Sequence, residues 1–271
     1  SRINDAVRRI LLAKYKLGLF DDPYGDKGTY PDFGCEEYVR TAYDAAVESA
    51  VLLKNEEGIL PLKKSDRILL VGPNANSMRT LNGGWSYTWQ GDKTDEARFA
   101  GAYNTIYEAL KAKFDRVEYM PVLEHSGGRA WEKEEQNDMV AALLAAVRAD
   151  VVVICVGENS YCETPGNIDD ITLSTNQTNL IKALATTGKP IVLILNEGRA
   201  RVIHEIEPLA DAVVDIMLPG NYGGDALAEL LSGDANFSGK LPFTYPKYVN
   251  AIHTYDYKVS EHREVMDGDY N

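Results

Sequence analysis

Three fingerprints are missing from this 271-residue sequence, and each absence removes a class of chemistry. Neither GxGxxG nor GxxxxGK(S/T) occurs, so nothing marks a dinucleotide or P-loop phosphate site. No GxSxG elbow raises a serine nucleophile, and only four histidines (His125, His204, His253, His262) are available to a Ser-His-Asp arrangement. Cysteine is scarce. Cys35, Cys155 and Cys162 cannot all pair and form no CxxC, which argues against a disulfide framework and a zinc site. No apolar run reaches the roughly 18 residues of a membrane span. Basic residues are outnumbered, and the net charge of −13 argues against nucleic acid, whose phosphates need a concentrated basic surface. A neutral, hydroxyl-rich ligand suits this balance, and no motif calls for a cofactor or a metal. The chain opens inside a helical pattern without an initiator Met, so it reads as a piece of a longer protein.

What is present alternates. Ile3, Val7, Ile10 and Leu11 recur at helical spacing, and Gly18 follows as a C-cap. A Pro/Gly/Asp/Tyr-rich stretch, "FDDPYGDKGTYPDFGC", reads as an extended linker, which divides the chain into 1–35 and 36–271. Helical period returns in "EEYVRTAYDAAVESAVLLKN". Short β-branched runs then appear at 67–72, 117–122, 150–157, 190–196 and 212–220, separated by helical segments near 101–114, 134–148, 175–187, 200–209 and 223–231. Such alternation predicts an α/β fold: an open, mostly parallel sheet covered by helices on both faces, an α/β sandwich preceded by a helix and a linker.

In open α/β sheets ligands bind beyond the carboxyl ends of the strands. The segments there are "GPNAN", "GENSYCE", "NEGRA" and "PGNYGG", rich in Asn, Glu and Gly. One of them carries Glu158 directly after the most apolar strand and Glu163 further out in a Pro/Gly-terminated loop. A glycosidase needs two carboxyls, an acid for the leaving oxygen and a nucleophile or base. Spacing alone leaves Glu163 between catalytic acid and solvated loop residue, and Glu158 between structural carboxylate and hydroxyl ligand. Asp169 and Asp170 read as turn or helix caps. "LNGGWSYTWQGD" places two of the three tryptophans, Trp85 and Trp89, among Gly83, Gly84 and Gly91. Those glycines disfavour a helical core pair, so at least one indole is expected at a surface, where flat aromatics suit sugar rings.

These motifs, in this order, resemble a known family. "VGENSYCETPG" followed by "LPGNYGGDALAELLSGDANFSGKLPFTYPK" resembles the C-terminal α/β domain of glycoside hydrolase family 3, the β-glucosidases and exo-β-glucanases. "AVESAVLLKNEEGILPL" is similar to the entry into that domain, "GGWSYTWQG" to its tryptophan loop, and the opening helix and linker to the tail of the preceding domain. The resemblance implies a retaining mechanism shared with an N-terminal (β/α)8 barrel that supplies the nucleophilic Asp from a Ser-Asp-Trp-like motif. Here the only Ser-Asp, Ser65-Asp66, precedes an apolar strand, so the nucleophile is expected outside this chain. It implies Glu163, not Glu158, as general acid/base. Trp89, with Trp85 beside it, would stack on the leaving sugar, with Glu158 as a further substrate-binding residue. The expected ligand is a β-glucoside or β-glucan oligosaccharide, and the Trp pair favours those over the family's xylosidase and N-acetylglucosaminidase branches. The chain alone is expected to be inactive. It stops at "VMDGDYN", short of the family's usual Phe-Gly-Tyr-Gly-Leu-Ser-like stretch, and so reads as trimmed at both ends. Family resemblance points to extracellular or periplasmic work and leaves a homodimer of the parent open. The competing readings are a non-catalytic carbohydrate-binding module on the Trp pair and, less supported, a flavodoxin-like nucleotide-binding domain.

Overall fold

A computed structural model describes residues 1–24, 28, 30–126 and 133–251. The linker residues 25–27 and 29, the histidines His253 and His262, and the terminal "VMDGDYN" lie outside the described residues, as does the end of the second expected domain. The chain divides into two compact units, Ser1–Arg40 and Thr41–Asn271.

The first unit is built on α1 (Arg2–Lys16), whose N-terminus is capped by the Ser1 hydroxyl accepting from the Asn4 amide at 3.3 Å. Asp5 binds Arg8 and Arg9 one turn on, at 2.9 and 2.8 Å. No residue of α1 is buried, and Val7, Leu11, Leu12, Tyr15 and Phe20 line an open apolar hollow. Helix α2 (Glu36–Ser49) begins in this unit and ends in the next.

The second unit holds, in chain order, β1 (Val51–Asn55), β2 (Arg67–Val71), α3 (Met78–Asn82), α4 (Ala97–Ala100), α5 (Ile106–Lys113), β3 (Arg116–Tyr119), β4 (Leu123–His125), β5 (Glu134–Gln136), α6 (Met139–Arg148), β6 (Val151–Gly157), α7 (Thr175–Ala185), β7 (Ile191–Asn196), β8 (Ala212–Asp215) and α8 (Gly223–Ser232). Six strands form one sheet in the order β1-β8-β7-β6-β2-β3, parallel except for β1 at one edge; β4 and β5 form a separate antiparallel pair. Side chains alternate across the pleat. Val151, Val153 and Cys155 therefore enter one core with residues of α5 and α8, while Val152, Ile154 and Val156 enter a second with residues of α6 and α7. Both faces are covered, which is why β6 and β7 are buried along their whole length and read as continuous apolar runs.

Several expected segments differ. The helical period of 36–55 ends at Ser49, and Val51–Asn55 turns into β1, which pairs antiparallel with β8 and closes that edge of the sheet. The segment near 200–209 forms no α-helix. Arg201 is drawn inward to Glu158, Val202 bridges to Thr172, and only a 3-10 turn follows at Glu207–Leu209. The helix near 134–148 starts at Met139, where Asp138 accepts from the Ala141 amide at 3.0 Å, because 134–136 is strand β5. In the 101–114 segment the long helix is α5, started by a reciprocal cap between Thr105 and Glu108. The strand from 212 stops at Asp215, whose carboxylate accepts from the Met217 amide at 2.8 Å as Met217 turns left-handed.

Candidate active site

Strands β2 and β6 are neighbours, but the chain leaves β2 for β3 on one side and β6 for β7 on the other. This reversal opens a crevice at the carboxyl ends of the two strands. Asn74, fully buried, sits at its floor. Its Nδ2 donates to the carbonyls of Glu158 and Asn196 and to Asn196 Oδ1, at 3.1–3.2 Å. Asn196 Nδ2 donates on to the Met217 carbonyl at 2.6 Å, and Gln177 pairs with both polar groups of the Gly157 peptide at 2.8 and 2.9 Å. The backbone crowds there: a Cβ on Gly72 would lie 2.1 Å from the Cys155 carbonyl oxygen, and one on Gly157 would lie 2.0 Å from that of Asn196. Four strand ends are thus stapled by side-chain amides. His125 Nε2 faces Asn74 Oδ1 at 3.0 Å. Burial, with the Arg79 charge behind it, pushes this imidazole down to about 3, so it stays neutral.

Glu158 is buried under the crevice floor. Its Oε1 accepts from Arg199 Nε at 2.8 Å and from Arg201 Nε at 2.9 Å, and its Oε2 accepts from the Tyr161 hydroxyl at 2.8 Å. Arg199 also lies 4.3 Å over the Tyr161 ring. Arg199 and Arg201 are both engaged by this one carboxylate, which offsets their positive charge at the strand ends. Beneath it, Glu197 accepts from the Tyr245 hydroxyl at 2.6 Å and from the Arg201 amide at 3.0 Å. Burial, with Asp215 nearby, holds the Glu197 carboxyl well above the usual range, and burial pushes Asp215 up to about 6.

Glu163 stands apart from that cluster. It is exposed and begins the 3-10 turn Thr164–Gly166, with its backbone in the left-handed region at φ 56°. Among the described residues, five non-glycine residues have positive φ, and four of them lie on these carboxyl-end loops: Trp85, Tyr87, Glu163 and Met217. Each costs on the order of 1–3 kcal/mol and persists only where surrounding contacts over-determine it, a pattern that concentrates at functional sites.

The tryptophan loop follows α3 and is not helical; Trp85 remains 69% and Trp89 41% exposed. Its shape is set by close approach. A Cβ on Gly84 would lie 2.2 Å from the Tyr161 carbonyl oxygen, and one on Gly91 would lie 2.1 Å from that of Gly83. Arg79, buried below, donates from Nε to Ser160 Oγ at 2.7 Å. Tyr87, at the rim, accepts through its hydroxyl from Asn221 Nδ2 at 2.7 Å. The loops that carry Trp85, Trp89 and Glu163 are therefore in direct contact, with Glu158 as a buried support. Cys35, Cys155 and Cys162 are free thiols, and among the described residues no group of three or more His, Cys, Asp or Glu side chains could hold a metal ion. Reading the sequence missed Gln90, Asn74, Tyr161, Arg199 and Arg201. Their only signal was position, within "WQG" and directly after β2, β6 and β7.

Fold and crevice together define a doubly wound α/β domain whose strand ends offer aromatic plates and an exposed carboxylate in place of a phosphate cradle. Residues 50–271 match the family model for the glycosyl hydrolase family 3 C-terminal domain, and the chain belongs to that family. It is 38% identical over 267 residues to a lysosomal beta glucosidase of Dictyostelium discoideum, covering 96% of this chain and 32% of that protein. It is 36% identical to a periplasmic beta-glucosidase of Salmonella typhimurium, covering 94% and 35% respectively. The crystal structure of a beta-glucosidase from Listeria innocua in complex with glucose superposes with a TM-score of 0.76 at 32% identity, over 98% of this chain and 37% of that one. The chain spans about a third of the length of the curated relatives it matches.

Proposed function

We propose that this chain supplies the general acid/base for retaining hydrolysis of β-glucosides by a larger protein, with Glu163 in that role. The observation that carries the reading is the exposed Glu163 carboxylate, on strained backbone, fastened beside the exposed Trp85 and Trp89. The similarity to beta-glucosidases supports the substrate class. In the first half-reaction a protonated Glu163 gives its proton to the glycosidic oxygen. A carboxylate from a neighbouring (β/α)8 barrel attacks the anomeric carbon, and the C–O bond to the leaving group breaks. In the second, the Glu163 carboxylate takes a proton from water as that water attacks the glycosyl-enzyme, so the anomeric configuration is retained. Trp89 and Trp85 offer apolar plates to the leaving sugar. Glu158, committed to Arg199, Arg201 and Tyr161, acts on substrate through the residues it holds rather than by direct contact.

The test uses the parent protein with its barrel, comparing wild type with Glu163→Ala on aryl β-glucosides of good and poor leaving group and on aryl β-xylosides. The variant is expected to lose roughly 10²–10⁴-fold on the poor leaving group, to retain glycosylation with the good one, and to be accelerated by azide. Wild-type rates on both glucosides would remove Glu163 from the mechanism. Faster turnover of the xylosides by wild type would overturn the substrate assignment.

A further inference from the structure

We infer that Gln90 is the residue that aims Glu163, through a clasp between the tryptophan loop and the acid loop. Gln90 is 1% exposed, unusual for a polar side chain in a loop that otherwise presents its aromatic neighbours to solvent. Its amide is spent entirely on Cys162, the residue before Glu163. Oε1 accepts from the Cys162 backbone N–H at 3.1 Å, and Nε2 donates to the Cys162 carbonyl at 3.2 Å and to Sγ at 3.1 Å. The clasp closes from the other side as well, because the Cys162 thiol donates to the Trp89 carbonyl at 2.9 Å. Burial and the nearby Glu163 charge push that thiol up, which keeps its proton available as donor.

The geometry explains how Glu163 keeps an unfavourable backbone. The direction of its Cβ depends on the rotation between the two peptide planes that flank its Cα. Gln90 holds the plane before it through the Cys162 carbonyl, and the Gly166 amide holds the plane after it by donating to the Glu163 carbonyl at 2.9 Å. Gly166 is itself pinned, since a Cβ there would lie 2.1 Å from the Tyr161 ring. With both planes fixed, φ stays at 56° and the Cα–Cβ bond of Glu163 keeps one direction. Because Gln90 follows Trp89 directly, the same side chain sets the distance between the stacking plate and the acid. Gln90 touches no reacting atom in this arrangement and is a positioning residue. The inference rests on the acid/base reading of Glu163.

The experiment replaces Gln90 with Met in the parent protein, which keeps side-chain length and removes all three hydrogen bonds. The quantity to read is the ratio of kcat/KM for an aryl β-glucoside with a poor leaving group to that with a good one, because the amount of folded enzyme cancels in the ratio. Misplacing the acid is expected to lower this ratio roughly tenfold to a hundredfold, with the good leaving group changing far less. An unchanged ratio, including an equal loss on both substrates, overturns the inference. Glu163→Ala is run in parallel: if it lowers the ratio and Gln90→Met does not, positioning by Gln90 fails alone. If Glu163→Ala leaves the ratio unchanged, the acid/base reading fails and the inference falls with it.

Discussion

Glu158 and Glu163 share one loop, yet their surroundings separate them more sharply than their spacing does. Glu158 is buried with two arginines and a tyrosine on its oxygens, whereas Glu163 is exposed on strained backbone. A third carboxyl, Asp215, lies buried below the crevice, and burial pushes its pKa up to about 6 from an ordinary 3.8. The folded state therefore binds this proton more tightly than the unfolded chain does. Its contribution to stability is fully present below about pH 4 and is lost as pH rises through about 6. The loss amounts to as much as about 3 kcal/mol. Glu197, also raised and close enough to feel Asp215, reinforces the trend. Asp215→Asn keeps an oxygen for the Met217 amide and removes the titration. The substituted chain is expected to lose less stability between pH 4 and pH 7, read as a smaller fall in urea midpoint across that range. An identical pH dependence would show that Asp215 does not titrate there.

Elements differ in how openly the sequence announces them. Strands β2, β6 and β7 were legible because burial on both faces demands unbroken apolar runs, and "RILLVG", "DVVVICVG" and "PIVLILN" admit little else. Strand β1 was not, since "AVLLKN" continues the helical period of α2; what makes it a strand is the open edge of β8, a partner distant in sequence. The segment after β7 was misread as helix because the pull of buried Glu158 on Arg201 has no local signature. The aromatic plates and Glu163 stand out in the sequence, while the amide staples among Asn74, Asn196, Gln177 and Gln90 do not, as a polar side chain's partner is set only by the finished fold. The cap that starts α5 is local but was not read from the sequence, which placed this helix only near 101–114. Thr105 accepts from the Glu108 amide at 3.2 Å and also donates to Asn76 Oδ1 at 2.8 Å, tying α5 to the loop after β2. Thr105→Ala is expected to lower stability by about 1 kcal/mol, seen as a lower urea midpoint at unchanged slope.

At the scale of the whole molecule, the proposed chemistry needs two carboxyls, and the proposal takes the nucleophilic one from a neighbouring (β/α)8 barrel. The purified chain is therefore expected to show no turnover of aryl β-glucosides above the Glu163→Ala background, and measurable hydrolysis by it alone would place a nucleophile within these residues. The sheet's order has a further consequence, for the time the chain spends being made. Val51 pairs with Asp215, about 160 residues later, so at a synthesis rate of about 5–20 residues per second β1 waits roughly 8–30 s for its partner. The central pairing of β2 with β6 is also delayed, although β3 emerges sooner. During that interval the apolar Val51–Leu53 segment is an unpaired edge, open to trigger factors, chaperones or a neighbouring nascent chain. A chain halted before Ala212 keeps that edge open, while one that has released α8 from the ribosome can close it. Pairing of β1 with β8 is therefore among the last contacts the sheet can form during synthesis.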